Sequence, residues 1–154
     1  MMCINVLNSM IKKSLKPVFT IIDKKIMFQS EREKVKRSIV DVLNAPKSLV
    51  SIDVNDVRDL FQEGGVIHAF NASVDASMEN RMMLMMAKIM KHAECFEPYN
   101  RALMFFFFPE KQPLLMEELQ PFSDWIESVP GELRIKWGMA TQSTQELRAI
   151  ILLQ

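Results

Sequence analysis

The chain has 154 residues, 49% of them apolar and 25% charged, with 19 Lys+Arg balanced by 19 Asp+Glu. That length suits one domain, and zero net charge gives no electrostatic case for a nucleic-acid or an acidic-membrane partner. Two cysteines, Cys3 and Cys95, make neither a disulfide framework nor a zinc site, so a reducing, cytoplasmic setting is expected.

"MMCINVLNSMIKK" does not read as a signal peptide, because its lysines follow the apolar stretch and no small-residue cleavage site is visible. Ile4, Leu7, Ile11 and Leu15 recur at helical spacing and predict an opening amphipathic helix. "KPVFTII" (16–22) then reads as a strand. Ser30 and Glu33 make a capping box for a helix running to about Asn44, with Val35, Ile39, Val42 and Leu43 on its apolar stripe and Pro46 as its stop. Its cationic side chains Arg32, Lys34, Lys36 and Arg37 are balanced by Glu31, Glu33 and Asp41, which reads as a solvated face.

A loop leads to Asp53, where a short helix starts that carries Val57, Leu60 and Phe61 and ends at Gly64-Gly65. "VIHAFNA" (66–72) is the next strand. A methionine-rich helix is expected from about Met78 to Ala93, capped by Ser77, with Met82, Met83, Met85, Met86 and Met90 as core filler. "ALMFFFF" (102–108) is too short to span a bilayer and reads as a strand buried on both faces. A helix across 113–127 follows, with Pro113 in its first turn and a kink at Pro121. "ELRIKWGMA" and "ELRAIILLQ", joined by the turn "TQST", predict a closing hairpin.

Strands alternating with helices give an α/β fold, an α+β sandwich around a mixed sheet of about four to five strands. Residues 30–154 are expected to form one domain, with 1–29 as decoration or the remnant of something else.

Catalytic motifs are scarce. The four glycines (64, 65, 131, 138) include no Gly-rich strand-to-helix turn, so the chain is not expected to hold a nucleotide by itself. His68 and His92 have no second ligand at metal spacing and read as structural, and Cys95 reads as a buried or incidental thiol. The pair that stands out is Asp53 and Asp56, three apart at a helix start. Asp53 suits the cap and Asp56 the positive end of the helix. The two roles are compatible, with Asp53 capping while Asp56 points outward to a ligand that the chain does not itself hold.

"SIVDVLNAPKSLVSIDVNDVRDLF" (38–61) resembles the end of the long central helix, the synergy loop and the following helix of FtsZ, the bacterial tubulin homologue. The family pattern there is Asn-x-Asp-x-x-Asp/Glu, in runs such as "GLINLDFADVRTVM". Ser51 stands at the Asn position, Asp53 and Asp56 match the acids, and Val57 and Arg58 also match. "SMENR" (77–81) is similar to the family's "SGEDR", and "ELRAIILLQ" to its last strand, "ELRVTVVATG". Residues 4–29 are similar, shortened, to the helix and strand before the central helix. The likeness spans roughly 120 residues and rests on collinear order. The family's nucleotide-binding half, with its "GGGTGTG" loop, has no counterpart here, nor do its C-terminal linker and terminal peptide.

The resemblance implies an FtsZ/tubulin C-terminal-domain fold and a division of chemistry between subunits. GTP would be held by a partner subunit, and Asp53 and Asp56 would complete its site in trans by orienting and polarising the attacking water. Ser51, Ile52, Val54, Asn55 and Arg58 would form the partner-binding loop. The implied partner is an FtsZ-like GTPase subunit or another copy of the chain, and alone the domain would be no enzyme. The alternative is a diverged, non-catalytic interaction module that keeps the fold without filament docking. A small enzyme with its own pocket ranks last, because no nucleophile–base or metal constellation is legible.

Overall fold

The computed structural model describes residues 9–45 and 48–154. The opening helix α1 spans Ser9–Lys25, so "KPVFTII" is helical and not a strand. Its buried residues Leu15, Val18, Ile21 and Ile22 follow a 3.6-residue period, which a two-residue strand period would split between two faces. That burial offsets the cost of Pro17, which removes one hydrogen bond inside the helix. Ile4 and Leu7 lie outside the described residues.

Helix α2 (Gln29–Leu43) forms as expected but without the Ser30–Glu33 box, since Phe28 occupies the N-cap and makes no side-chain cap bond. The chain entering it is held instead by Arg32, whose Nη1 donates to the carbonyls of Ile26 and Met27, both at 2.9 Å. Lys36 is not solvated. It is buried, with its Nζ 2.7 Å from Asp23 Oδ1 of α1 and 5.3 Å from the centre of the Phe19 ring. Pro46 lies outside the described residues.

Strand β1 (Ser48–Val50) and helix α3 (Val54–Leu60) come next, followed by β2 (His68–Asp75). Helix α4 (Arg81–Ala93) starts later than the sequence suggests. Ser77 does not cap it, because its N–H and hydroxyl both donate to Asp75 Oδ1 at 2.9 and 2.7 Å. Strand β3 (Arg101–Pro109) is followed by a 3-10 turn (Met116–Leu119) and helix α5 (Gln120–Ser128). Pro121 falls in the first turn of α5, where its missing N–H costs nothing, so it opens that helix instead of kinking one. Strands β4 (Arg134–Gln142) and β5 (Glu146–Leu153) close the chain.

The sheet is mixed and five-stranded, in the order β1-β4-β3-β5-β2, with only the β3–β4 pair parallel. The closing pair is therefore not a hairpin, since β3 lies between β4 and β5. The reason is in β3 itself. Residues Ala102 to Phe108 are all buried, so the backbone of β3 needs hydrogen-bonded neighbours on both edges.

Two apolar layers follow from the alternation along β3. Leu103, Phe105 and Phe107 face a core built with α1, α2 and α3. Ala102, Met104, Phe106 and Phe108 face a second core built with α4 and α5. Within α4, Met82, Met85 and Met86 are buried filler, whereas Met83 and Met90 are exposed. Among the described residues the most buried charged side chain belongs to a clamp. Arg81, 5% exposed, donates to Glu118 at 2.8 and 2.9 Å and to the carbonyls of Ala76, Gln112 and Pro113.

Candidate functional site: the Asp53–Asp56 helix start

The approach to the acid pair is fixed by strand pairing. Val50 lies opposite Met139 and Ser48 opposite Ala140, with a register shift between the two pairs. Gly138 permits this. A Cβ there would lie 2.5 Å from the Val50 carbonyl oxygen and 2.7 Å from a Phe105 ring carbon, so any larger residue pushes the loop off β4. Ile52, buried in the first core together with Val57 and Leu60, anchors the chain on both sides of the acids.

At the helix start the two carboxylates cap each other's backbone. Asp53 Oδ1 accepts the Asp56 N–H at 2.9 Å, and Asp56 Oδ2 accepts the Asp53 N–H at 3.0 Å. This is a reciprocal capping box with Asp at both positions. The second oxygens differ. Asp56 Oδ1 lies 3.5 Å from Lys136 Nζ of β4, with the Asp56 side chain 32% exposed. Asp53 is exposed, and among the described residues nothing donates to its Oδ2. Capping thus falls to both acids, and Asp53 keeps the open oxygen.

The other end of α3 is also tied. Arg101 Nη1 donates to the Leu60 carbonyl at 3.0 Å. The Gln154 side chain accepts the Gln62 N–H at 2.9 Å and donates to the carbonyls of Gly65, at 3.1 Å, and Gln62. The helix is therefore held at both ends against the sheet, which gives the carboxylates a fixed separation.

Around the pair, Ser51, Asn55 and Arg58 are exposed, Val54 is half-buried, and Leu49 and Val50 present apolar side chains to solvent. Arg58 Nε is 4.0 Å from Asp59 Oδ1, a loose surface pair. Chemically, the site offers fixed carboxylate oxygens beside one lysine. A carboxylate has about four acceptor positions, so one capping bond leaves room to accept from a water or a partner donor.

The remaining sequence candidates lie elsewhere. His68 stacks on Phe96 at 4.3 Å, and His92 packs on Phe70 at 5.2 Å. Burial holds the His68 pKa below its ordinary value, partly opposed by the charge of Glu31. Cys95 is exposed, correcting the buried alternative. Among the described residues no group of three His, Cys, Asp or Glu can hold a metal ion. The glycines do not compose a phosphate cradle. Gly64 and Gly131 sit in turns with φ of 116° and 80°, Gly65 packs on Gln154, and Gly138 packs on β1.

Lys136 and Gly138 escaped the sequence reading as site residues. Gly138 carried a signal, because a lone glycine inside an alternating strand marks a close backbone approach. Lys136 carried none, since its nearness to Asp56 exists only once β1 has paired with β4.

No family model and no curated protein sequence matches the chain. Solved structures do. A point-mutant FtsZ from M. jannaschii aligns over 90% of this chain with a TM-score of 0.60 at 17% identity. The fold is that of the FtsZ/tubulin C-terminal domain. TubZ from Bacillus thuringiensis serovar israelensis, solved as GDP-form protofilaments, aligns over 87% with a TM-score of 0.56 at 14% identity. CetZ2 from Haloferax volcanii, solved as a GTPγS-bound protofilament, aligns over 88% with a TM-score of 0.51 at 14% identity. The chain spans 44, 40 and 43% of the length of those three structures. In this FtsZ/tubulin-type domain the acid pair sits where β1, β4 and α3 meet. Among the described residues, no helix is long and apolar enough to cross a membrane.

Proposed function

We propose that this domain docks through residues 48–58 on the nucleotide-bearing face of an FtsZ-like GTPase subunit. It would present Asp53 and Asp56 to the GTP held by that subunit, and so modulate hydrolysis or polymerisation in the cytoplasm. Alone it neither binds nor hydrolyses GTP. The observation that carries the reading is a carboxylate pair, Asp53 exposed and Asp56 half-buried, on a helix start tied at both ends and flanked by the exposed apolar side chains of Leu49 and Val50. Rigid placement is what positioning a water requires, since misplacing a catalytic group by an ångström forfeits much of its effect. The likeness in fold to proteins solved as protofilaments supports a partner of that class.

Within the loop, Ser51, Asn55 and Arg58 supply the contact, and the buried Ile52 does not. Ile52 and Val54 hold the loop in shape, while Ser51, Asn55 and Arg58 face outward. The test is to mix the domain with a GTPase-competent FtsZ-type protein and follow phosphate release and light scattering. Asp53→Ala and Asp56→Ala serve as controls. The reading expects wild type to change turnover or polymer mass and both variants to lose the effect. No effect of wild type at excess over the partner refutes it.

A second reading has its own observation. Each acid already has a complete structural role in the capping box, which an interaction module without catalysis also needs. Partner capture that survives both alanine substitutions favours that reading.

A further inference from the structure

The zero net charge conceals two opposed layers. Residues 9–45, which form α1 and α2, carry nine Lys/Arg and four Asp/Glu, a net +5. Segments 76–100 and 110–133, which form α4, two 3-10 turns (Glu94–Phe96 and Met116–Leu119) and α5, carry four and nine, a net −5 that lies wholly in 110–133, since 76–100 is neutral. The two sets pack on opposite faces of the sheet. Internal pairing does not cancel them, because Lys36–Asp23 and Arg81–Glu118 each remove one charge of either sign from their own layer.

On the α1–α2 side, the α3 segment adds a local net −3 from Asp53, Asp56, Asp59 and Glu63 against Arg58. The neighbouring Arg101, Arg134 and Lys136 offset it. Both charged layers also expose large apolar side chains. Met27 is 88% and Phe28 72% exposed on the basic one, and Met116 is 73% and Met83 64% exposed on the acidic one.

We propose that copies of this domain stack face to face, the α1–α2 layer of one against the acidic α5 side (110–133) of the α4–α5 layer of the next. Such a contact is heterologous, joining two different faces, and so repeats without closing. Opposite fields of equal size steer the copies together, and zero net charge leaves no long-range repulsion between them. The exposed methionines and Phe28 supply adaptable apolar contact once the faces meet. A second copy fits better than another occupant because each face finds its complement on the same molecule. This inference does not rest on the acid pair.

Sedimentation velocity on the full chain tests it. At about 20 mM salt the wild type associates with rising concentration, and at about 500 mM, where screening reaches only a few ångströms, the association weakens about tenfold or more. Two triple variants follow, Lys13→Glu/Lys24→Glu/Lys25→Glu and Glu117→Lys/Glu127→Lys/Glu132→Lys, all at exposed positions. Each alone stays monomeric. Mixed, they form a one-to-one complex that grows no further, because each retains one native face. A wild type that stays monomeric at low salt overturns the proposal, as does association that survives high salt or either reversal. Should a triple variant lose its circular dichroism signal, the wild-type salt series alone decides.

Discussion

Replacing Asp53 by asparagine separates its role as a helix cap from the role in trans proposed for its carboxylate. Asn caps a helix about as well as Asp, whereas Ala costs about 0.5–2 kcal/mol at an N-cap. In Asp53→Ala the Asp56 N–H loses its 2.9 Å acceptor. The opposite bond, from the Asp53 backbone N–H to Asp56, survives. The loss is therefore that of one cap, about 1 kcal/mol. The Lys136–Asp56 pair adds little, because side chains 45 and 32% exposed are well screened. Helix α3 itself stays docked, since Val57 and Leu60 are buried. For a chain of this size, about 1 kcal/mol lowers Tm by about 2–4 °C.

Asp53→Asn should leave Tm within about 1 °C of wild type, because the cap is kept and only the charge is lost. If the carboxylate works on a partner's nucleotide, the neutral amide cannot accept a proton or polarise water as well. Stimulation of the partner's phosphate release should then drop about tenfold or more, as when a positioned acid–base group is removed. The assay pairs a thermal melt of the isolated domain with a phosphate-release titration against an FtsZ-type GTPase. An Asp53→Asn protein that stimulates like wild type refutes the reasoning and leaves the pair as a cap alone.

Gly138→Ala should destabilise the domain by about 1–3 kcal/mol through overpacking against Val50 and Phe105, with faster amide exchange in residues 48–53. Arg81→Met should cost about 3–5 kcal/mol, because it strands Glu118 and three carbonyl groups in a buried clamp. Its side-chain bond to Arg81 holds the Glu118 pKa below its ordinary 4.5. That contribution is complete above 4.5 and is lost as pH falls through the folded-state value, so acid denaturation of Arg81→Met should lack it. Burial lowers the His68 pKa from 6.5, so the unfolded chain binds the extra proton first. Stability should therefore decline as pH falls below about 6.5, and His68→Phe should flatten that part of a stability–pH curve.

What was legible in the sequence followed from periodicity, and what was not depended on contacts between distant segments. "ALMFFFF" could only be a doubly buried strand, and the 3.6-residue stripe of α2 was equally plain. In α1 the same period ran through Pro17, but the proline and the β-branched run drew the reading to a strand. The hairpin failed because local order cannot reveal that β3 needs partners on both edges. The Ser30–Glu33 box, which has the preferred residue types, is not formed, while the Asp53–Asp56 box, which lacks Glu at N3, is. The difference lies in the flanking chain. Arg32 pins the approach to α2 so that the helix starts two residues early, with Phe28 and not Ser30 at the N-cap, whereas buried Ile52 and Val57 set Asp53 at the boundary of α3. The charge layers were present in the sequence as blocks, yet only the packing of those blocks on opposite faces gives them physical meaning.

The composition of the acid box bears on which of its roles shaped it. Stability asks for one oxygen at the N-cap and one at N3, and a neutral Ser or Thr with Glu or Gln supplies both with at most one charge. Here Asp53 at the N-cap is followed by Asp56 and Asp59 within a seven-residue helix. Like charges on one helix face repel, and the macrodipole of so short a helix offsets only part of that. Lys136 offsets more, from 3.5 Å, but both side chains are part-exposed and screened. A cap alone does not call for this arrangement, whereas the contact proposed above with a partner's polarised water does. If the charge is surplus to folding, Asp53→Ser should match wild type in stability and Asp53→Ser/Asp56→Gln should come close to it. Both should fail in trans, a split that a purely structural pair cannot produce.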